Sequence, residues 1–219
     1  MSIDQRYTDE EVAAVYRAIR QRRDVRHFTS EPVDSEILAR LLVAAHQAPS
    51  VGFMQPWRFL RITRPRLRTQ IHELVEAERR QTARALGERE EEFMKLKVEG
   101  ITACAELLVV ALAPGREQHV FGRRTLPEMD LASASCAIQN LWLAARAEGL
   151  AVGWVSLFDP DALIRLLDMP GGSQPIAILC IGHTDTFYSE PLLQRSGWAQ
   201  RRELEDLVME NSWLDQESV

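Results

Sequence analysis

Apolar positions recur every three to four residues over much of the chain, which is the spacing of one face of an α-helix. The first such stretch begins at Thr8 and Glu11, which form a capping box of the kind that starts a helix. The most regular pattern ends at Gly149, a residue that favours helix termination. Helices are therefore predicted over 8–22, 34–48, 65–103 (two helices divided near Gly87), 130–148, from Pro160 onward, and 201–209.

Four short segments have the alternating or continuous apolar character of β-strands. They are 57–63, 107–113, 151–156 and 175–182. Strands and helices alternate along the chain, which predicts an α+β or α/β fold with a small sheet and many helices. Since the 219 residues show no internal repeat, no low-complexity segment and no domain boundary, we expect a single domain over 1–219.

Composition narrows the class of protein. Apolar residues make up 46% of the chain and charged residues 26%, which is ordinary for a globular protein. The formal net charge is −6, so we expect no binding to nucleic acid or to an anionic membrane. The longest apolar run, 107–113, is too short to cross a bilayer. Residues 1–23 lack the apolar core of a signal peptide, and we therefore expect a cytoplasmic protein.

Residue types that bind metals or act as nucleophiles are scattered. Cys104, Cys136 and Cys180 form no C-x-x-C pair, and the five histidines show no ligand spacing, so we expect no metal site and reduced, buried thiols. The chain has no G-x-S-x-G, P-loop or G-x-G-x-x-G pattern. These absences argue against a serine hydrolase, an NTPase and a Rossmann domain.

A basic cluster, Arg22-Arg23-Asp24-Val25-Arg26, interrupts this acidic chain. Arginine forks bind phosphate oxygens through paired hydrogen bonds, and residues two apart project to the same side of an extended backbone. The cluster favours a phosphate site, although a run of solvated surface charges has the same composition. Its aspartate either holds the arginines by ion pairing or meets the ligand as a base or hydrogen-bond acceptor.

Three further segments offer groups suited to a ligand. The loop over 49–57 carries the Ser50 hydroxyl and the Gln55 amide, which can bind the edge of a heterocycle or simply belong to a turn. The segment 153–156 closes a predicted strand, and strand ends often border a ligand crevice. The charged stretch over 73–92 is either a solvated helix face or a lid or arm over a neighbouring subunit.

Together these segments resemble the nitroreductase-like flavoprotein superfamily. The arginine-rich stretch after the first helix, a P-S-x-x-x-x-Q-P-W loop and a G-W-x-S strand follow in the same order, and the resemblance covers roughly 18–210. Within the superfamily, the sequence is most similar to the enzymes that convert reduced flavin mononucleotide into 5,6-dimethylbenzimidazole. The motifs that carry this closer similarity are Arg22 to Arg26, Ala48 to Trp57, Glu128-Met129-Asp130, Ala137 to Trp142 and Gly153-Trp154-Val155-Ser156.

The resemblance implies an α+β fold with a central, mainly antiparallel sheet flanked by helices, in an intertwined homodimer that binds flavin between its subunits. It implies an enzyme that consumes reduced flavin mononucleotide (FMN), supplied by a separate flavin reductase, and molecular oxygen. The products would be 5,6-dimethylbenzimidazole, the lower ligand of vitamin B12, and erythrose 4-phosphate. A lid-like helical segment over about 65–100 and a C-terminal dimer arm over about 200–219, which includes Trp213, would accompany this chemistry.

The same resemblance assigns roles to individual residues. Asp24 matches an essential acidic residue that acts as base or hydrogen-bond partner at the ribityl carbon next to the ring. Ser156 matches an essential serine that holds or protonates oxygen or ring atoms. The phosphate is expected at the arginine cluster, with Arg201 or Arg202 as further candidates. The expected flavin contacts are Arg22, Arg23, Asp24, Val25, Arg26, Ser50, Met54, Gln55, Leu96, Trp154, Val155, Ser156 and Arg201.

Two other functions remain open. An NAD(P)H-dependent nitroreductase, quinone reductase or dehalogenating reductase would retain its flavin and cycle electrons through it, and Asp24 and Ser156 argue against that alternative. A non-catalytic flavin carrier or sensor would need an exposed surface for a partner, for which the stretch over 73–92 is the candidate.

Overall fold

The computed structural model describes residues 6–213, and α-helices and β-strands alternate along them. The strands are β1 (Trp57–Arg61), β2 (Glu106–Leu112), β3 (Ala151–Val155) and β4 (Gln174–Gly182). The helices are α1 (Asp9–Gln21), α2 (Ser35–His46), α3 (Pro65–Ala85), α4 (Glu90–Lys95), α5 (Met129–Ala147), α6 (Pro160–Leu166) and α7 (Leu192–Arg195). Within these residues no helix is both long enough and apolar enough to span a membrane.

The four strands form one sheet in the order β1-β2-β4-β3, and every neighbouring pair is antiparallel. Helices α2 and α5 cover one face, where Leu41 and Leu141 are fully buried. Helices α3 and α6 cover the other, with Ile71 and Leu163 fully buried. Each such side chain contributes about 1.5–3 kcal/mol by its removal from water. The predicted α+β fold with a mainly antiparallel sheet is confirmed.

Local signals place several helix ends where the sequence predicts them. The Thr8 hydroxyl accepts a hydrogen bond from the Glu11 amide, and the Glu11 carboxylate accepts one from the Thr8 amide, which is the expected capping box. Asp34 caps α2 and Asp159 caps α6. The charged region divides at Gly87, whose φ of +56° lies in the left-handed range that glycine tolerates.

The structure divides the segment over about 65–100, which is the expected lid-like segment, into a long helix and a shorter part after it. Helix α3 buries Ile71 and Val75 in the core cluster on its face of the sheet, and Ala83 near its end is buried as well. Only α4 and the extended chain after it remain as candidates for a movable cover.

The helix predicted over 201–209 is wrong. A single 3₁₀ turn over Glu205–Leu207 is present, and Leu204, Leu207 and Val208 are exposed. Short helices are marginal unless an apolar face is buried, and these side chains remain 53–67% exposed in the described residues. One helical turn, α7, lies before it.

Candidate active site

A cavity of about 640 Å³ opens beside the edge strand β3. Four segments wall it: the end of α1 with the arginine cluster, the chain over 93–98, the end of β3 over 154–157, and the chain over 191–201. Its lining combines apolar side chains with several cations. This combination suits a ligand with a flat apolar ring and an anionic group.

The arginine cluster reaches the cavity because it runs beside β3 as a short parallel partner. Asp24 forms an isolated bridge with Val152, and the Val25 amide donates to the Val152 carbonyl at 3.0 Å. The pairing requires Gly153, since a Cβ at that position would lie 2.3 Å from the Val25 carbonyl oxygen. Val25 is fully buried, so the cluster anchors itself by this side chain and lines the cavity with its neighbours.

The Asp24 carboxylate is held by two contacts. One oxygen accepts a hydrogen bond from the Trp154 amide at 3.0 Å, and the other pairs with Nη2 of Arg26 at 2.7 Å. Desolvation by burial raises the pKa of Asp24, and the charge of Arg26 and the Trp154 hydrogen bond oppose this rise without cancelling it. About 40% of the side chain remains accessible, on the side that faces the cavity. Asp24 is therefore a carboxyl group suited to proton transfer.

The arginines divide into two groups. Arg26 also donates to the Trp154 carbonyl at 2.6 Å, and Arg23 donates to the carbonyls of Arg20, Arg22 and Ser189 at 2.6–2.7 Å. Burial, followed by the nearby charges of Arg22, Arg201 and Arg146, lowers the pKa of Arg23. Arg23 and Arg26 thus hold the backbone in place.

Arg22 and Arg201 are left to meet a ligand. Arg22 stacks over the Trp142 ring at 4.6 Å, and within residues 6–213 neither Arg22 nor Arg201 pairs with a carboxylate. Both line the cavity, and Arg202 does not. Two guanidinium groups that line the same cavity and pair with no carboxylate in the described residues can bind an anion such as phosphate.

Ser156 follows the last residue of β3 and is exposed to the cavity. Within the described residues its hydroxyl makes no hydrogen bond. Ser156 lies two residues beyond Trp154, whose amide holds Asp24. The α-carbons of Trp154 and Ser156 are therefore about 7 Å apart along the strand direction. The structure therefore brings the two expected catalytic residues to the same cavity.

Most of the expected flavin contacts line this cavity. Val25 does not line it, but Asp24 and Arg26 on either side of it in the sequence do. Sequence reasoning missed the remaining lining residues, because only the fold brings their segments to β3. They are Ile19, Arg20, Phe93, Lys97, Val98, Leu157, Pro191, Leu192, Leu193 and Trp198.

Ser50, Met54 and Gln55 lie outside the cavity. Their loop rests on the first half of α5, where the Ser133 hydroxyl accepts a hydrogen bond from the Val51 amide at 3.0 Å. The arginine cluster contacts Trp142, nine residues later on α5, which is about 14 Å along a helix axis. Within one chain, the two groups of expected flavin contacts therefore lie at different places along α5.

Comparisons with known proteins agree with this architecture. The nitroreductase family model matches residues 19–183. A 5,6-dimethylbenzimidazole synthase from Rhodospirillum rubrum is 42% identical over 83% of this chain and 87% of its own length. One from Rhodobacter capsulatus is 39% identical over 91% of this chain and 96% of its own length.

A solved structure shows the same fold. The BluB-like flavoprotein from Clostridium difficile 630 superposes with a TM-score of 0.68 at 19% identity, over 89% of this chain and 97% of that protein. Because the family model covers about three quarters of the sequence, and relatives align over most of their length, the chain belongs to the nitroreductase family.

Proposed function

We propose that this protein is a 5,6-dimethylbenzimidazole synthase, which uses molecular oxygen to fragment reduced FMN into 5,6-dimethylbenzimidazole and erythrose 4-phosphate. Two relatives with that activity in their names are 42% and 39% identical to the chain. The observation that carries the proposal is Asp24, a carboxyl group of raised pKa that faces a cation-rich cavity. A carboxyl group at this place suits a reaction that moves a proton at the bound ligand.

The residues present fit FMN. The cavity volume lies within the range of small-molecule sites, about 300–1,000 Å³. Arg22 and Arg201 would hold the phosphate, and Arg26 keeps one buried nitrogen, Nη1, without a hydrogen-bond partner in the described residues. Phe93, Leu96 and the other apolar lining residues would cover the ring.

Reduced FMN supplies the electrons that oxygen accepts and the carbon atoms of both named products, and the pyrimidine part of its ring leaves as a third, oxidised fragment. The chain's own residues would position it and move protons. Asp24, fixed by the Trp154 amide and Arg26, would take a proton from the ribityl carbon next to the ring, and its raised pKa favours keeping that proton for return. Ser156, with an uncommitted hydroxyl, would hydrogen-bond oxygen or ring atoms at the same centre.

The functional unit in this proposal is a homodimer. Helix α1 buries none of its residues, and Val15, Tyr16 and Ile19 are 47–58% exposed on it. Phe53 and Phe121 are more than 80% exposed beside the loop that carries Gln55. A second copy would cover these apolar groups and bring its own Ser50, Met54 and Gln55 to the cavity. The C-terminal arm, with Trp213 at 81% exposure, would join this contact, while 214–219 lie outside the described residues.

Two further elements complete the proposal. The cover of the cavity would be the part of the lid-like segment that lines it, from Phe93 to Val98. A separate flavin reductase would deliver the FMN in reduced form.

The test mixes the purified protein with photoreduced FMN in air and quantifies 5,6-dimethylbenzimidazole by liquid chromatography and mass spectrometry. Asp24→Asn and Ser156→Ala should each lower its formation by about 100-fold or more, which is the usual contribution of a general acid or base. Asp161→Asn, an exposed aspartate on α6, is the matched control and should remain fully active. Recovery of intact, oxidised FMN from the wild type would refute the proposal and favour an NAD(P)H-dependent reductase.

A further inference from the structure

Two walls of the cavity touch each other through one cation–aromatic contact. The guanidinium carbon of Arg89 lies 3.5 Å from the centre of the Trp198 ring, and its Nη2 donates to the Trp198 carbonyl at 3.2 Å. Phe93, one turn further along α4, meets the same ring at 6.1 Å between centroids. We refer to Arg89, Phe93 and Trp198 as the clasp. It joins α4 to the chain over 191–201, which carries Arg201.

Glu92 fixes the orientation of the Arg89 guanidinium. Its Nε and Nη2 donate to the two carboxylate oxygens of Glu92 at 2.8 and 3.0 Å, which orients the flat guanidinium over the indole. An arginine whose planar guanidinium is already held by two hydrogen bonds stacks on an aromatic face with little further loss of side-chain freedom. Glu92 on α4 thus orients Arg89, the residue directly before this helix, for its contact with Trp198.

The other end of α4 is fixed to the core. Nη2 of Arg79, on α3, donates to the carbonyls of Met94 and Leu96 at 2.7 and 3.0 Å. Phe93, which belongs to the clasp, and Leu96, whose carbonyl belongs to this anchor, are the apolar side chains that α4 and its extension present to the cavity. The clasp adds an attachment at the amino end of α4 to this anchor at its carboxyl end.

We infer that Arg89 is a positioning residue and Trp198 its receptor, and that the clasp holds α4 over the reacting centre so that water stays out. The inference rests on the proposed function. Reduced FMN that meets oxygen in a wet site is simply reoxidised: two electrons and two protons pass to oxygen, and FMN and hydrogen peroxide are the products. The clasp therefore sets the ratio of 5,6-dimethylbenzimidazole to hydrogen peroxide, because exclusion of water suppresses such side reactions.

The experiment measures both products per reduced FMN consumed, and the dissociation constant of oxidised FMN by quenching of its fluorescence. Arg89→Met and Trp198→Leu should raise the ratio of peroxide to 5,6-dimethylbenzimidazole and the dissociation constant by about threefold to tenfold, the size of one exposed cation–aromatic contact with its hydrogen bond. Trp198→Phe retains a ring face and should shift both quantities less than Trp198→Leu does. Arg89→Lys retains only the charge and should fall between.

Arg40→Met is the matched control. Arg40 is an equally exposed arginine that binds both oxygens of a glutamate, Glu148, outside the cavity. A shift in product ratio with Arg40→Met as large as that with Arg89→Met would make the effect one of general stability and overturn the clasp. Wild-type ratios in both Arg89→Met and Trp198→Leu would overturn it as well.

Failure of the proposed function is distinguishable from failure of the clasp. If the wild type produces no 5,6-dimethylbenzimidazole, the synthase proposal falls, and the clasp is judged by binding alone. An unchanged dissociation constant and unchanged iodide quenching of bound flavin in Arg89→Met would then overturn it, and a rise in both would support it.

Discussion

Asp24 occupies a position that disfavours its own charge. Burial raises its pKa, so between the ordinary carboxyl pKa of about 3.9 and the raised value the folded protein holds more protons here than the unfolded chain. The stability that this residue contributes is complete below the ordinary pKa and falls as the pH rises through that window. A functional carboxyl group therefore costs folding free energy at neutral pH.

Asp24→Asn should remove both this cost in folding free energy and the synthase activity, and only the effect on folding free energy should depend on pH. Asparagine keeps an oxygen for the Trp154 amide and removes the ionisation. The free energy of unfolding of the variant, minus that of the wild type, should increase from pH 4 to pH 7, while synthase activity is lost at every pH. Urea unfolding at several pH values measures the difference, in which other titrating groups cancel. If the difference decreases instead, the ion pair with Arg26 outweighs the desolvation.

At the scale of elements, the sequence predicted what local chemistry decides. The capping box at Thr8, the division at Gly87 and all four strands are properties of short segments, and each is present. The helix predicted over 201–209 depended on packing that the chain does not provide.

The candidate site was predictable only in part, for the same reason. The arginine cluster and the end of β3 were identified as ligand-binding segments, and they do share a cavity. The sequence does not reveal that the Arg23 guanidinium donates hydrogen bonds to backbone carbonyls. One of these carbonyls belongs to Ser189, which is 166 residues away. The sequence also does not reveal the contact of Arg89 with Trp198, 109 residues apart.

The start of α5 depends on a buried ionic group. Asp130 is 5% exposed and accepts hydrogen bonds from Arg116 at 2.8 Å and from Arg123 at 3.2 Å. These contacts fasten the long connection after β2 to α5. Asp130→Asn preserves the shape and leaves two arginines without their carboxylate, so it should lower the free energy of unfolding by about 3 kcal/mol.

Urea unfolding monitored by circular dichroism measures this loss. Glu148→Gln breaks a pair of the same type at the surface, with Arg40, and should change stability little. Equal effects of the two substitutions would show that burial of Asp130 is not what makes its ion pairs matter.

At the scale of the whole molecule, the separation along α5 makes a prediction about assembly. Asp24 lies in the cavity near one half of α5, and the loop with Ser50, Met54 and Gln55 lies on the other half of the same helix. If one ligand contacts both groups, they come from different subunits. Each site of the dimer then contains Asp24 of one chain and the loop of its partner.

A hybrid dimer tests this arrangement. One chain carries Asp24→Asn, the other carries alanine at Ser50, Met54 and Gln55, and different affinity tags allow the hybrid to be isolated. Each parent homodimer should be inactive, because both of its sites contain a defect. In the hybrid, both defects fall in one site and the other site is intact, so about half of the wild-type synthase activity should return. If the two groups served one site from the same chain, each site of the hybrid would keep one defect, and the hybrid would be as inactive as its parents.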